Sequence, residues 1–295
     1  MQPFFWLLLC FGGTVQSFVV DGVGRRHQTV QTQVQAAPAI LYESDRILAI
    51  CKPTGISHHD DGEEDSGIMS LIRKCQASGD IDYQGRIYGV HRLDRVTSGI
   101  LLFAKDSTTA GILSNKFRDG QITKYYCGIS AKKPAKKKQG WIQGNMVKGR
   151  RKSWLLTRDS EGESDNYAKT RFFTSGLSAL ANQLVDTEIQ PKTLVLFRPH
   201  TGKTHQLRVA AKSVGLPLLG DPVYKDGSAD DKEAPRTYLH ACALHLELDD
   251  QEVTIWSPPP FGGLWDSPGS AQFDQCFREV VDKHCDCGAI TEKLE

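Results

Sequence analysis

At 295 residues, 39% hydrophobic and 24% charged, the chain has room for one sizeable domain with a substantial core plus extensions. These values exclude a compositionally biased, unfolded chain. The formal net charge of +1 by itself disfavours a nucleic-acid partner.

Residues 1–38 read as a targeting presequence, cleaved or disordered, ahead of a domain over 39–266 and a tail over 267–295. Phe4 to Phe11 is an apolar run too short to span a bilayer, and Val15-Gln16-Ser17 offers small residues that a signal peptidase accepts. Phe18 to Leu41 then holds one acid, Asp21, with Arg25 and Arg26, the composition of a transit peptide. A bipartite presequence reconciles the two halves. The Ser17-Phe18 junction resembles the plastid-targeting signals of algae with complex plastids, which places a plastid ahead of a mitochondrion as destination.

Ala39–Tyr42 and Ile47–Ile50 read as strands split by a Glu43–Arg46 turn, and Lys52-Pro53-Thr54-Gly55 stops the second. A helix is expected over Ser66–Ser78 from Ile68, Leu71, Ile72 and Cys75, and another over Ser107–Arg118 with Gly120 as its stop. Between them Gly99–Ala104 is a continuous apolar run. Strands follow at 123–129, 141–147, 153–157, 167–173 and 192–198. Then come a helix over Thr204–Val214 with Gly215 as its cap, strands at 238–248 and 252–257, and a terminal helix beyond Ser267. Many strands broken by a few helices, without βαβ alternation, predict an α+β fold: a mixed, largely antiparallel central sheet with flanking helices.

The eight cysteines contain no CxxC pair, and Cys285 with Cys287, beside His284, lacks a second half-site. Free thiols in a reducing compartment are the reading, and no metal is expected. Chemistry concentrates instead in HRLDRVTSGILLFAK, His91 to Lys105, where Asp94 sits between Arg92 and Arg95. Flanking guanidinium groups favour the ionised carboxylate, fit to act as nucleophile or base. The plain alternative is an Asp–Arg ion pair tying down a loop before a core strand.

The full string resembles the catalytic motif of the RluA-type pseudouridine synthases, with Val96 where an acid is common. Ile47 to Gly55, ILAICKPTG, resembles the opening motif, whose Lys52-Pro53 braces the active-site loop. Lys124-Tyr125-Tyr126 matches the KxY motif. Pro199 to Tyr224 resembles the third motif, with Lys203 for the usual Arg and Ala210-Ala211 for a Val-His pair. Arg236 to Ala241 resembles the strand that sets an apolar residue against the base. The resemblance spans roughly residues 39 to 258. It implies the pseudouridine synthase fold, no cofactor, Asp94 as nucleophile, Arg208 as its basic partner, Tyr126 against the uracil and Leu239 on the apolar wall. The carboxylate adds at C1′ of the ribose or at C6 of the base. Read without the resemblance, Tyr126 is a half-buried strand aromatic, Arg208 a helix-surface arginine and Leu239 plain core.

Charge distribution reverses what net charge suggests. Gln121 to Thr157 holds ten Lys and Arg and no Asp or Glu, which makes a basic face on a near-neutral molecule. Within it Lys136, Lys137, Lys138, Arg150 and Arg151 are expected along RNA phosphates; a solvated loop is the alternative. Lys52, Arg92, Arg95, His205 and Gln206 are the expected contacts nearer the site. Arg92 fills the space left by a flipped uridine or pairs with Asp94, and His205 and Gln206 contact the RNA or brace Arg208. The expected function is cofactor-free isomerisation of uridines in structured rRNA or tRNA by a monomer, with no membrane partner in the mature form. A catalytically silent RNA-binding or ribosome-assembly protein on the same fold is the alternative, and it needs neither Asp94 nor its partner.

Overall fold

The computed structural model describes residues 9–11, 14–16, 19–20, 26–27, 37–58, 60, 67–134, 137–157, 164–177, 192–225, 227–228, 232–259, 265 and 270–284. Lys136, Cys285, Cys287 and most of the expected presequence lie outside them. The chain divides into two compact units, Met1–Pro38 and Ala39–Glu295. The first carries two short antiparallel pairs, Leu9–Phe11 with Thr14–Gln16 and Val19–Val20 with Arg26–His27.

The second unit runs β1 (Ile40–Glu43), β2 (Ile47–Lys52), α1 (Ile68–Ser78), β3 (Tyr88–Gly89), β4 (Ser98–Ala104), α2 (Ser107–Arg118), β5 (Thr123–Ser130), β6 (Gln139–Lys148) and β7 (Trp154–Thr157). It continues with β8 (Tyr167–Leu177), β9 (Lys192–Pro199), α3 (Gln206–Ser213), β10 (Leu239–Leu248), β11 (Gln251–Trp256) and α4 (Ser270–His284). The strands form one 11-stranded sheet ordered β7-β6-β8-β9-β5-β10-β4-β2-β1, with β11 on β10 and β3 on β4. The pairing of β4 with β10 is parallel and the rest are antiparallel. The fold is therefore α+β, a mixed and largely antiparallel sheet with flanking helices.

Helices cover both faces, which is why β4 is buried along its whole length and apolar from Gly99 to Ala104 instead of alternating. Leu101 and Phe103 pack with Ile68, Leu71 and Ile72 of α1, while Ile100, Leu102 and Ala104 pack with Leu113 of α2. Further along the sheet, Phe277, Val280 and Val281 of α4 meet Leu194 and Leu196, and Leu207, Ala210 and Ala211 of α3 meet Val195 and Phe197 on the opposite face. Among the described residues no helix is long and apolar enough to cross a membrane.

Local chemistry sets the helix ends. Asp106 caps α2 by accepting a hydrogen bond from the Thr109 amide at 2.8 Å. Helix α3 begins at Gln206 and not at Thr204, because His205 takes the left-handed conformation (φ 58°). Gly215 (φ 79°) closes that helix as Leu216 donates to the Ala211 carbonyl at 3.0 Å.

The parallel junction positions the site. Gly99 has φ 108°, and a Cβ there would lie 2.3 Å from the Ala241 carbonyl oxygen, so only glycine lets β4 approach β10. Beside it the buried His240 donates from Nε2 to the Ser257 carbonyl at 3.1 Å, which leaves Nδ1 to accept from the Ser98 hydroxyl at 2.8 Å. Burial holds the His240 pKa down at about 3, against a raising contribution from Ser257, so the ring stays neutral and this polarity is kept. The clamp brings the loop before β4, which carries Asp94, to the same end of the sheet as Leu239.

Candidate active site

A cleft of about 480 Å³ opens at that end, lined by residues 90–94 of the β3–β4 loop, by Tyr126 of β5, by Pro199 to Arg208 and by Leu239. Asp94 is half-buried there, and the turn that presents it is closed by the Thr97 amide donating to the Asp94 carbonyl at 3.0 Å.

The guanidinium that reaches Asp94 belongs to Arg208, not to the sequence neighbours. Arg208 Nη1 donates to Asp94 Oδ2 at 3.3 Å. Arg92 is exposed and donates to the Thr204 hydroxyl at 3.1 Å; Arg95 donates to the Gly55 carbonyl at 2.9 Å. Adjacency along a tight turn points consecutive side chains apart, which corrects the expectation of a carboxylate held between Arg92 and Arg95. Arg92 nevertheless lines the cleft, whereas Arg95 does not.

Arg208 is itself fixed by Asp221. Its Nε and Nη2 donate to the two Asp221 oxygens at 2.7 and 2.9 Å, a bidentate fork that leaves Nη1 for Asp94. Asp221 also accepts from the Val223 and Tyr224 amides at 2.8 and 2.9 Å. Burial raises the Asp221 pKa, but the Arg208 hydrogen bonds and charge and these amides outweigh it, and the carboxyl stays below its ordinary range. The same contacts overcome burial at Arg208 and raise its pKa. A helix-surface arginine has no such counter-ion, and Arg208 is 3% exposed.

Tyr126 and Leu239, on the paired strands β5 and β10, lie side by side and both line the cleft. Burial and then the negative charge of Asp94 push the Tyr126 phenol above its ordinary pKa, so it rests protonated. Leu239 is 2% exposed and packs with Val195 and Phe197 while lining the cleft. His205 Nδ1 lies 2.9 Å from the Tyr224 hydroxyl, which in turn accepts from the Trp154 amide at 2.9 Å. Burial lowers the His205 pKa.

Two expected RNA contacts are internal braces instead. Lys52 is 0% exposed, and its ammonium donates to the carbonyls of Pro53 and Ile56 at 2.9 Å and of Arg95 at 3.5 Å. Burial draws its pKa down to about 8, opposed by Asp94. It ties the Pro53–Ile56 turn to the Asp94 loop and is out of reach of a phosphate. Lys52→Met strips those carbonyls of their donor and is expected to cost about 2 kcal/mol, read as a lower melting temperature together with reduced turnover. Gln206 lines the cleft but is 5% exposed. Its carbonyl accepts from the Thr201 hydroxyl and the Lys203 amide at 2.8 and 2.9 Å, and its amide donates to the Lys169 carbonyl and the Thr170 hydroxyl at 3.2 and 2.9 Å.

The described members of the expected phosphate-contact set are exposed. Lys137 and Lys138 precede β6, and Arg150 and Arg151 occupy the β6–β7 turn; none of the four lines the cleft. Sequence reasoning passed over Asp221 and His91. The signal for the first is GDPVY, whose Asp looks like a turn residue until Arg208 needs a counter-ion. His91 opens the motif, and its Nε2 accepts from the Leu102 amide at 2.9 Å while its ring stacks on Phe117. Burial, aided by Lys124 and His58, lowers its pKa to about 3, so it pins the Asp94 loop to β4 as a neutral acceptor.

The RNA pseudouridylate synthase family model matches residues 46–213. The chain is 37% identical over 229 residues to an uncharacterized RNA pseudouridine synthase of Haemophilus influenzae, covering 78% of this chain and 91% of that one. It is 32% identical to the ribosomal large subunit pseudouridine synthase C of Rickettsia prowazekii, covering 75% and 68%. To the tRNA pseudouridine synthase C of Yersinia pestis it is 31% identical, covering 80% and 90%. In fold it is similar to human RNA pseudouridylate synthase domain containing 1, with a TM-score of 0.61 at 24% identity over 78% of this chain and 86% of that one. These matches run across the strands and loops that assemble the cleft, and the chain belongs to the RluA-type RNA pseudouridine synthases and is an enzyme of that class.

Proposed function

We propose that the protein isomerises particular uridines in structured rRNA or tRNA, using Asp94 as nucleophile, and that it does so in an organelle. The observation that carries this reading is the Asp94–Arg208 contact at 3.3 Å in a cleft walled by Tyr126 and Leu239. In the reaction the N1–C1′ bond breaks, the uracil turns, C5 bonds to C1′, the C5 proton leaves and N1 gains one. No electrons are exchanged. Asp94 adds covalently to the nucleoside, and Arg208 aims its carboxylate through a charge-assisted bond. The Tyr126 ring packs on the uracil. Because its phenol rests protonated, C5 deprotonation requires its proton to leave first or another group to act as base. Leu239 keeps water from the freed base.

A paired uridine must be extruded at a cost of a few kcal/mol, and Arg92 at the cleft mouth is placed to occupy the vacated stack. Incubating the purified protein with organellar and cytosolic rRNA and tRNA transcripts, then mapping pseudouridine, tests the reading. A small set of uridines converted only in the presence of protein is the expected result. No conversion in any of these RNAs sinks the proposal. Conversion confined to cytosolic RNA, with a fluorescent fusion of the full chain outside plastids and mitochondria, removes the organelle from it.

A further inference from the structure

We propose that Trp141 and the cations around it form a second nucleotide subsite, which takes an unpaired base and its phosphate next to the uridine cleft. The ligand class rests on the pseudouridine synthase reading; the subsite itself rests on geometry. Trp141, on β6, is 47% exposed, an unusual state for so large an apolar side chain away from an interface. The strand register sets Arg171 opposite it and Lys169 two positions along, on the same sheet face. Lys169 Nζ lies 4.9 Å and Arg171 Cζ 5.3 Å from the ring centroid. Neither cation has a carboxylate partner among the described residues.

The platform is joined to the cleft. The His200 ring sits 4.9 Å from Trp141, tilted by 54°, and His200 also lines the cleft. The backbone of Lys169 is tied to the same loop, its amide donating to the Thr201 hydroxyl at 2.9 Å and its carbonyl accepting from the His200 amide at 2.9 Å. Burial and then the positive charges of Arg198, Lys169 and Lys124 lower the His200 pKa, so positive potential converges where platform meets cleft.

Within this cation–π cluster Trp141 remains 47% exposed, which leaves surface open to a ligand. An exposed indole beside unpaired cations is the combination that binds single-stranded nucleic acid, the ring stacking on a base and the cations meeting its phosphate. Every base has a π face, so the subsite adds affinity and register without reading base identity.

Trp141→Ala is expected to raise KM for the RNA about tenfold, with kcat changed far less and the melting temperature held; Trp141→Phe, which keeps a stacking ring, recovers most of the loss. Titrating a single-stranded oligouridylate into the Asp94→Asn variant should quench tryptophan fluorescence, and adding Trp141→Phe should remove that quench. An unchanged KM in Trp141→Ala, or a quench that persists without Trp141, overturns the subsite while the isomerase reading stands. Quenching by way of Trp141 in a protein that converts no uridine in any RNA overturns the isomerase reading and keeps the platform.

Discussion

Replacing Asp94 by Asn is expected to lower pseudouridine formation by on the order of a thousandfold or more, while RNA affinity stays within about threefold. The side chain keeps its size and an acceptor for Arg208 Nη1, so the fold has no reason to change; what disappears is the negative oxygen to which the proposed covalent bond is assigned. Single-turnover conversion measured beside a filter-binding isotherm separates the two quantities. Conversion persisting at a tenth of the normal rate would remove Asp94 from the nucleophile's role. A matching loss of affinity would recast it as a binding residue.

Asp221→Ala should be the most damaging change to stability around the cleft. Arg208 and Asp221 have side chains 4% and 0% exposed, and they form a bidentate pair. Removing the anion strands a buried guanidinium, a loss of about 3–5 kcal/mol, read as a melting temperature lower by about 10 °C. Turnover should fall as well, because the released fork is free to close on Asp94 with two nitrogens instead of one. The pH dependence has a definite sign. A carboxyl held below its ordinary range by folding stabilises the protein at pH values above that range, and the contribution is lost as the solution is acidified through the folded-state value. Asp221→Ala should therefore flatten the acid limb of the stability profile. An unaltered acid limb would mean that Asp221 titrates alike in the folded and unfolded chain.

The sheet was largely legible in the chain because periodicity and turn residues are local signals. Gly99–Ala104 reads as one apolar stretch, and a strand covered by α1 and α2 needs no polar face. Asp94 was legible too, through the string around it. Its partner was a different matter. Arg208 lies 114 positions away, and only the family resemblance linked them; charge reasoning favoured the adjacent arginines, which the turn directs elsewhere. Lys52 and Gln206 were each read both as a brace and as an RNA contact, and the RNA-contact readings share one origin. Both are polar residues at the ends of elements, Lys52 closing β2 and Gln206 opening α3, and a one-dimensional reading takes such residues as solvent-facing. Each is buried, with its polar atoms answered by neighbouring carbonyls, amides or hydroxyls. Asp221 escaped notice because the need for it arises only once Arg208 is known to be inside.

The hydrogen bond from the Ser98 hydroxyl to His240 joins residues 142 positions apart. Contacts of such long range are slow to close, whereas helices of a dozen residues form early. A nascent chain therefore displays α1, α2 and the Asp94 loop well before it owns a chamber. A message cut short ahead of codon 239 would still encode Asp94, Tyr126 and Arg208. It would yield no working enzyme, since the strand that completes the enclosure is among the last to be made.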